Sequence, residues 1–197
     1  MSHRTRHLPE VKGLHNFIRE LRYHEASRQL LALAYMLLLT LLARPRSAAV
    51  YGIGMLLAGI GLLIRLWASG HVKKNKELAT DGPYGFVRHP LYVGNILMLF
   101  GFALASGLWW AVPVLLFFLW FYYPPAIQYE DLKLERIFGD SWRQWSGNTL
   151  ALWPRFAGRR FTLGGWSLHQ STFKNGEPII VLYALWCGWY IYSRLLS

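Results

Sequence analysis

Residues 78–94 read Leu-Ala-Thr-Asp-Gly-Pro-Tyr-Gly-Phe-Val-Arg-His-Pro-Leu-Tyr-Val-Gly, a polar and aromatic passage wedged between two apolar runs. Tyr84 and Tyr92 offer aromatic faces, His89 a ring that donates or accepts a proton, and Arg88 a fixed cation beside the Gly82-Pro83 turn. Further along, Glu130 and Asp131 add two carboxylates just after the helix break expected at Pro124-Pro125. Taken singly, each has a bland reading: His89 as a satisfied structural histidine, and Glu130-Asp131 as carboxylates complementing a helix N-terminus. Their coincidence on one face is what points to a site. A cationic ligand bearing an aromatic base would meet tyrosine faces, a histidine donor and a carboxylate together there.

The chain that must position these groups is 54% hydrophobic, yet it carries a formal net charge of +11. That pairing describes a small multi-pass membrane protein with basic loops. The one cysteine, Cys187, lies in an apolar run, so neither a disulfide framework nor a cysteine metal cluster is built. The first residues are basic but lack the short apolar core and small-residue cleavage site of a signal peptide, so the N-terminus is expected to be retained.

Five apolar runs read as spanning helices: 30–43, 47–68, 91–106, 108–123 and 179–192. The expected fold is therefore all-α, a multi-pass membrane helical bundle of about five transmembrane helices, with any site built by its long loops on the cytoplasmic side. A bilayer core of ~30 Å asks for about 20 residues per helix, so all but the second run need flanking residues or snorkelling arginines such as Arg28 and Arg44. The connections at Arg44-Pro45-Arg46 and Gly107 are short enough to force antiparallel hairpins. Gly54 and Ala58 in the second run have the small-xxx-small spacing of close helix packing.

With a cytoplasmic N-terminus, the inner segments hold most of the 21 lysines and arginines, against Arg44, Arg46 and Arg194 outside. A basic face beside anionic lipid accounts for the charge without nucleic acid. Residues 8–21 place apolar side chains at helical spacing and describe a surface-lying helix, and 128–145 is a second amphipathic stretch ending in Trp142 and Trp145. Residues 161–178 contain a possible hairpin at Gly164-Gly165 and carry no functional expectation. The division expected is an interfacial segment 1–29, a transmembrane hairpin 30–69, a core 70–155 with its own hairpin, and a terminal loop and helix 156–197.

The motif Gly-Pro-Tyr-x-x-x-Arg-His-Pro-x-Tyr-x-Gly, followed by two apolar runs and then Glu130-Asp131-x-x-Leu134-x-x-x-Phe138-Gly139-x-x-Trp142-x-x-Trp145, resembles the catalytic region of the isoprenylcysteine carboxyl methyltransferase and phospholipid methyltransferase superfamily. The likeness covers roughly 69–154. It implies a membrane-embedded methyltransferase using S-adenosylmethionine, and no glycine-rich strand-to-helix fingerprint of a soluble nucleotide-binding domain appears. Carried over position by position, it nominates Lys76, Glu77, Leu78, Ala79, Tyr84, His89, Pro90, Leu91, Tyr92 and Glu130 for the cofactor. Lys76 departs from the histidine often found there, which suggests a main-chain contact. Glu130 and Arg88 are the catalytic candidates: Glu130 as partner of the cofactor's ammonium or ribose and a possible proton acceptor, along with Asp131 and His89, and Arg88 as a clamp or substrate contact.

Prenylcysteine-processing members carry an arginine four residues before the glutamate; here that residue is Ala126. The resemblance then implies a lipophilic or small acceptor, a carboxylate, amine or thiol, with the prenylcysteine carboxylate disfavoured. Membrane lipid is the expected surrounding partner, and no metal is expected. Two alternatives stand beside it: a sterol-reductase-like enzyme using NADPH, whose relatives have more helices, and a non-catalytic lipid-binding protein. Methyl transfer is an in-line displacement, so orientation and desolvation carry the catalysis, with alignment supplying about 7 to 11 kcal/mol in favourable cases.

Overall fold

A computed structural model describes residues 13–23, 25–73, 76–156, 162 and 164–196. Among these residues there are seven α-helices and no strand: α1 (Leu14–Tyr23), α2 (Glu25–Leu42), α3 (Ala48–His71), α4 (Pro90–Ala105), α5 (Ala111–Phe138), α6 (Asp140–Gly147) and α7 (Glu177–Leu196). A 3₁₀ turn, Gly82–Gly85, precedes α4, and a π turn, Gln170–Lys174, precedes α7. The all-helical expectation holds. Of the surface helix expected over 8–21, the described part is α1; Leu8 and Val11 lie outside the described residues.

Against the five spans expected, three helices among the described residues are long and apolar enough to cross a membrane: α3, α5 and α7, of 24, 28 and 20 residues. A fourth exists if α1 and the bent continuation into 27–42 form one span. Helix α4 is apolar but has only 16 residues, ~24 Å of rise, which falls short of a bilayer core. Leucines and aromatics on α2, α3, α5 and α7 are outward-facing, as lipid-exposed helices require.

Pro124-Pro125 does not end the fourth apolar run, as the sequence reading assumed; α5 passes straight through both prolines. A helical proline leaves the carbonyl four residues back without its N–H partner. For Pro125 that carbonyl is Phe121 O, and Arg22 of α1 donates its Nε–H to it at 3.0 Å. The same guanidinium lies 5.2 Å over the Phe121 ring. A neighbouring side chain thus gives Phe121 O a partner, and α5 continues unbroken past the prolines to Glu130 and Asp131.

Helices α3 and α4 run antiparallel with their backbones in close approach. A Cβ added at Gly54 would sit 2.6 Å from Gly101 O, and one at Gly61 would sit 2.5 Å from Gly94 O. Those glycines, with Ala58 and Ala105, let the two backbones touch, which is the packing expected of small residues in lipid. Around this seam Met36 and Leu39 of α2, Leu99 and Phe102 of α4, Leu115 of α5 and Ile191 of α7 form the buried core.

Candidate functional site

At the end of the bundle where α4 begins, the helices diverge and leave a cavity of about 650 Å³. Pro90 opens α4, and His89 precedes it with its carbonyl accepting from Tyr92 N and Val93 N. The chain before it is held in place by pairing with a distant loop: Arg88 N donates to Leu150 O at 2.8 Å, and His89 N to Ala151 O at 3.0 Å. These bonds fix the motif against the segment following α6.

Eight of the ten residues nominated for the cofactor line this one cavity: Glu77, Leu78, Ala79, Tyr84, His89, Leu91, Tyr92 and Glu130. Lys76 and Pro90 are not among the lining residues; Lys76 is exposed on the loop after α3, and Pro90 is buried in the first turn of α4. Arg88 also lines the cavity.

Asp131 organises the motif. One carboxylate oxygen accepts from Arg88 Nη2 at 2.8 Å, and the other lies 2.9 Å from His89 Nε2. An ionised carboxylate only accepts, so the His89 proton in this contact sits on Nε2. Arg88 also donates from Nη1 to Thr149 O at 2.9 Å and Ser146 O at 3.3 Å. Its two terminal nitrogens thus tie the start of α4 to α5 and the loop after α6, while its buried Nε has no partner among the described residues. Glu130, one residue earlier, forms no hydrogen bond or ion pair among the described residues and keeps its carboxylate for the cavity.

The aromatic lining is mutually braced. His89 stacks on Tyr92 with ring centres 5.3 Å apart, and Tyr123 meets Tyr92 edge-on at 5.4 Å. Ala126 lies buried in the same tyrosine cluster, so the position that bears an arginine in prenylcysteine-processing members here brings no charge. Burial pushes the Tyr84 phenol above its usual range, Glu130 and Glu177 reinforce this, and Arg65 opposes it. Tyr84 is neutral at any working pH and serves as donor or aromatic face.

The structure adds residues that the sequence reading left out. Arg65 of α3 and Glu177 of α7 form a two-pronged ion pair, Nη2 to Oε1 at 2.7 Å and Nε to Oε2 at 3.2 Å, with side chains 13% and 2% exposed. Asn95 of α4 accepts from Arg65 Nη1, so one guanidinium ties three helices at the cavity floor. Two opposite ionisable residues, each at an apolar run, are the signal that would have found this pair. The loop 162–176, without functional expectation in the sequence, is stitched to the end of α3: Trp166 Nε1 donates to Leu66 O, Gln170 Nε2 to Val72 O and Asn175 Nδ2 to Ser69 O. Ser69 and Ser171 share a buried hydroxyl contact at 2.7 Å. Phe161 of the expected hairpin lies outside the described residues. Arg28, Tyr129 and Lys133 also line the cavity.

The family model for phospholipid methyltransferase matches residues 49–141, from the start of α3 into α6. Over 125 residues the chain is 32% identical to the cobalt-zinc-cadmium resistance protein CzcN of Cupriavidus metallidurans, covering 62% of this chain and 57% of that protein. It is 35% identical over 114 residues to the nickel-cobalt-cadmium resistance protein NccN of Alcaligenes xylosoxydans xylosoxydans, covering 56% and 53%. A third relative, the protein-S-isoprenylcysteine O-methyltransferase of Schizosaccharomyces pombe, is 36% identical over 75 residues, 37% of this chain and 32% of that protein. The match spans just over half the length of the first two relatives. No solved structure matches. The resemblance carried by the motifs therefore holds: residues 49–141 match the phospholipid methyltransferase family model, and the chain is similar to a protein-S-isoprenylcysteine O-methyltransferase.

Proposed function

We propose, from the premise that residues 49–141 match the phospholipid methyltransferase family model, that this integral membrane protein transfers a methyl group from S-adenosylmethionine to a lipophilic acceptor at the cytoplasmic membrane face. The observation that carries the reading is the convergence of Tyr84, His89, Tyr92 and the unpaired Glu130 on one cavity that also has apolar lining from Met36, Leu99 and Phe118. Its 650 Å³ lies within the ~300 to 1,000 Å³ of small-molecule sites, enough for a nucleoside-sized ligand beside an acceptor.

The chemistry of the donor set fits the cofactor. Glu130 and Lys133 stand three residues apart on α5 and are neighbours on its surface, so a carboxylate and an ammonium face the amino-acid end of a zwitterion together. Tyr84 and Tyr92 supply faces for a sulfonium and an aromatic base, and the 77–79 loop supplies backbone edges. When bound, the cofactor provides an electrophilic methyl on a sulfonium sulfur. The protein orients both partners and excludes water, the stacked His89 and Tyr92 rings keeping one wall rigid. Arg88 is assigned a positioning role, since its donors already hold Asp131 and two carbonyls. The basic inner segments support a cytoplasmic position for the cavity.

Calorimetry on detergent-purified protein tests this. S-adenosylmethionine and its demethylated product should bind and NADPH should not, with affinity lost in Glu130→Ala and His89→Ala variants that still fold. NADPH binding without the sulfonium compound, or wild-type affinity in both variants, refutes it.

A further inference from the structure

Helix α5 lines the cavity on both sides of its proline pair. Phe118 and Tyr123 come from before the prolines, Glu130 and Lys133 from after them. The aromatic and the charged parts of this wall are therefore two segments of one helix, and the angle between them is the angle at Pro124-Pro125. A proline makes that angle soft, since its missing N–H frees one rung of the backbone ladder and sharp kinks gather there. Glu130 stands five residues beyond Pro125, ~7.5 Å along the axis, so a kink of ~20° carries it about 2.5 Å. A shift of that size takes a carboxylate out of hydrogen-bond reach.

Arg22 occupies the freed rung. Its Nε–H reaches Phe121 O at 3.0 Å while its guanidinium carbon stands 5.2 Å over the Phe121 ring, so carbonyl and ring of one residue orient it together. The helix that brings it is itself seated: Leu21 packs against the cluster of Tyr92, Tyr122, Tyr123 and Ala126, and Ser27 Oγ donates to Leu21 O at 3.1 Å where the chain turns into α2. Beyond the prolines, Asp131 is held by Arg88 and His89. The break thus has an anchor on each side, and the near one comes from outside the family-matched segment. Resting on the methyltransferase reading above, we infer that Arg22 is a positioning residue: by capping Phe121 O it sets the bend of α5 at Pro125, and with it the place of Glu130 and Lys133 opposite the aromatic wall.

This role makes a demand that general stabilisation by Arg22 does not. With alanine at position 125 the helix supplies its own N–H to Phe121 O, and the guanidinium has no rung left to fill. Arg22 should then matter only while residue 125 is proline, so changes at the two positions must be non-additive. The consequence is also local to α5: what changes is the angle across the prolines in a protein that remains folded.

Two measurements on the full chain in detergent test it. By calorimetry with the demethylated cofactor, Arg22→Ala should weaken binding about tenfold and Arg22→Lys, which keeps an N–H donor, by less. Adding Pro125→Ala to Arg22→Ala should restore wild-type affinity. The bend is read without ligand, by the distance between spin labels on Leu116→Cys and Arg136→Cys, two exposed α5 positions ~30 Å apart along the axis, with Cys187 buried and out of the label's reach. That distance should shift or broaden in Arg22→Ala and return to the wild-type value when Pro125→Ala is added. An unchanged affinity or an unchanged label distance in Arg22→Ala overturns the inference, and so does a loss that Pro125→Ala leaves in place. If Arg22→Ala does not fold, Arg22→Lys with and without Pro125→Ala carries the same comparison. Failure of wild type to bind the demethylated cofactor is the separate result that removes the methyltransferase reading, and the label distances, which need no ligand, tell the two apart.

Discussion

Helices α3 and α4 meet in two ways along a single contact. Over part of their length the seam brings backbone and small side chains together, Gly54 and Ala58 against Gly101 and Ala105. At the cavity end the same two helices trade that closeness for charge: Arg65 lays its stem across Gly94, where a Cβ would meet Arg65 Cγ at 2.6 Å, and reaches Asn95 and Glu177. The first regime fixes distance by having no side chains to adjust. The second fixes orientation by hydrogen bonds that no other partner replaces. A seam of the first kind is what holds the second in register.

Breaking the seam should have the largest effect. Gly61→Leu drives a side chain into the backbone of Gly94 and Met98, and no folded protein is expected on solubilisation. Gly59→Leu, with open space around its Cβ position, should express and melt as wild type. Comparable losses in both variants would dissolve the distinction. Next comes the charged end: Glu177→Ala leaves Arg65 buried without its counter-ion and should cost about 3 to 5 kcal/mol by denaturant unfolding. Glu177→Gln, which keeps one acceptor, should cost less.

The Asp131→Asn variant probes whether orientation at the motif is built in the same way. Weakening the charged hydrogen bonds to Arg88 and His89 should lose about 1.5 to 3 kcal/mol in affinity for the demethylated cofactor, read by calorimetry, with the fold retained. Ser171→Ala removes the buried hydroxyl contact that fastens the loop before α7, for about 0.5 to 1.5 kcal/mol of stability. The smallest effect is assigned to Lys73→Ala, whose exposed pair with Glu77 should shift stability by ~1 kcal/mol at most, and less in high salt.

The motif residues were legible because their types are costly at a membrane edge: a histidine, an arginine and two carboxylates gathered around tyrosines have few structural uses there. The α3 seam was legible for a similar reason, since small residues at helical spacing mean close approach in lipid. Pro124-Pro125 misled, because a proline pair breaks an isolated helix, and only Arg22 arriving from α1 satisfies Phe121 O and carries α5 through. The short α4 was read as a span from its composition, which says nothing about where the helix stops.

The sequence by itself determined an all-helical, apolar chain with basic loops, a chemically loaded motif before α4 and a carboxylate pair beyond Pro125, because composition and local spacing act through neighbours along the chain. Only the tertiary structure decided which charges are already spent. Arg65 meets Glu177 across 112 positions and Arg88 meets Asp131 across 43, and what these pairs leave over, Glu130 on α5, is set by which helices pack together. Ion pairing acts over a few ångströms of space, and spacing along a sequence does not report that distance.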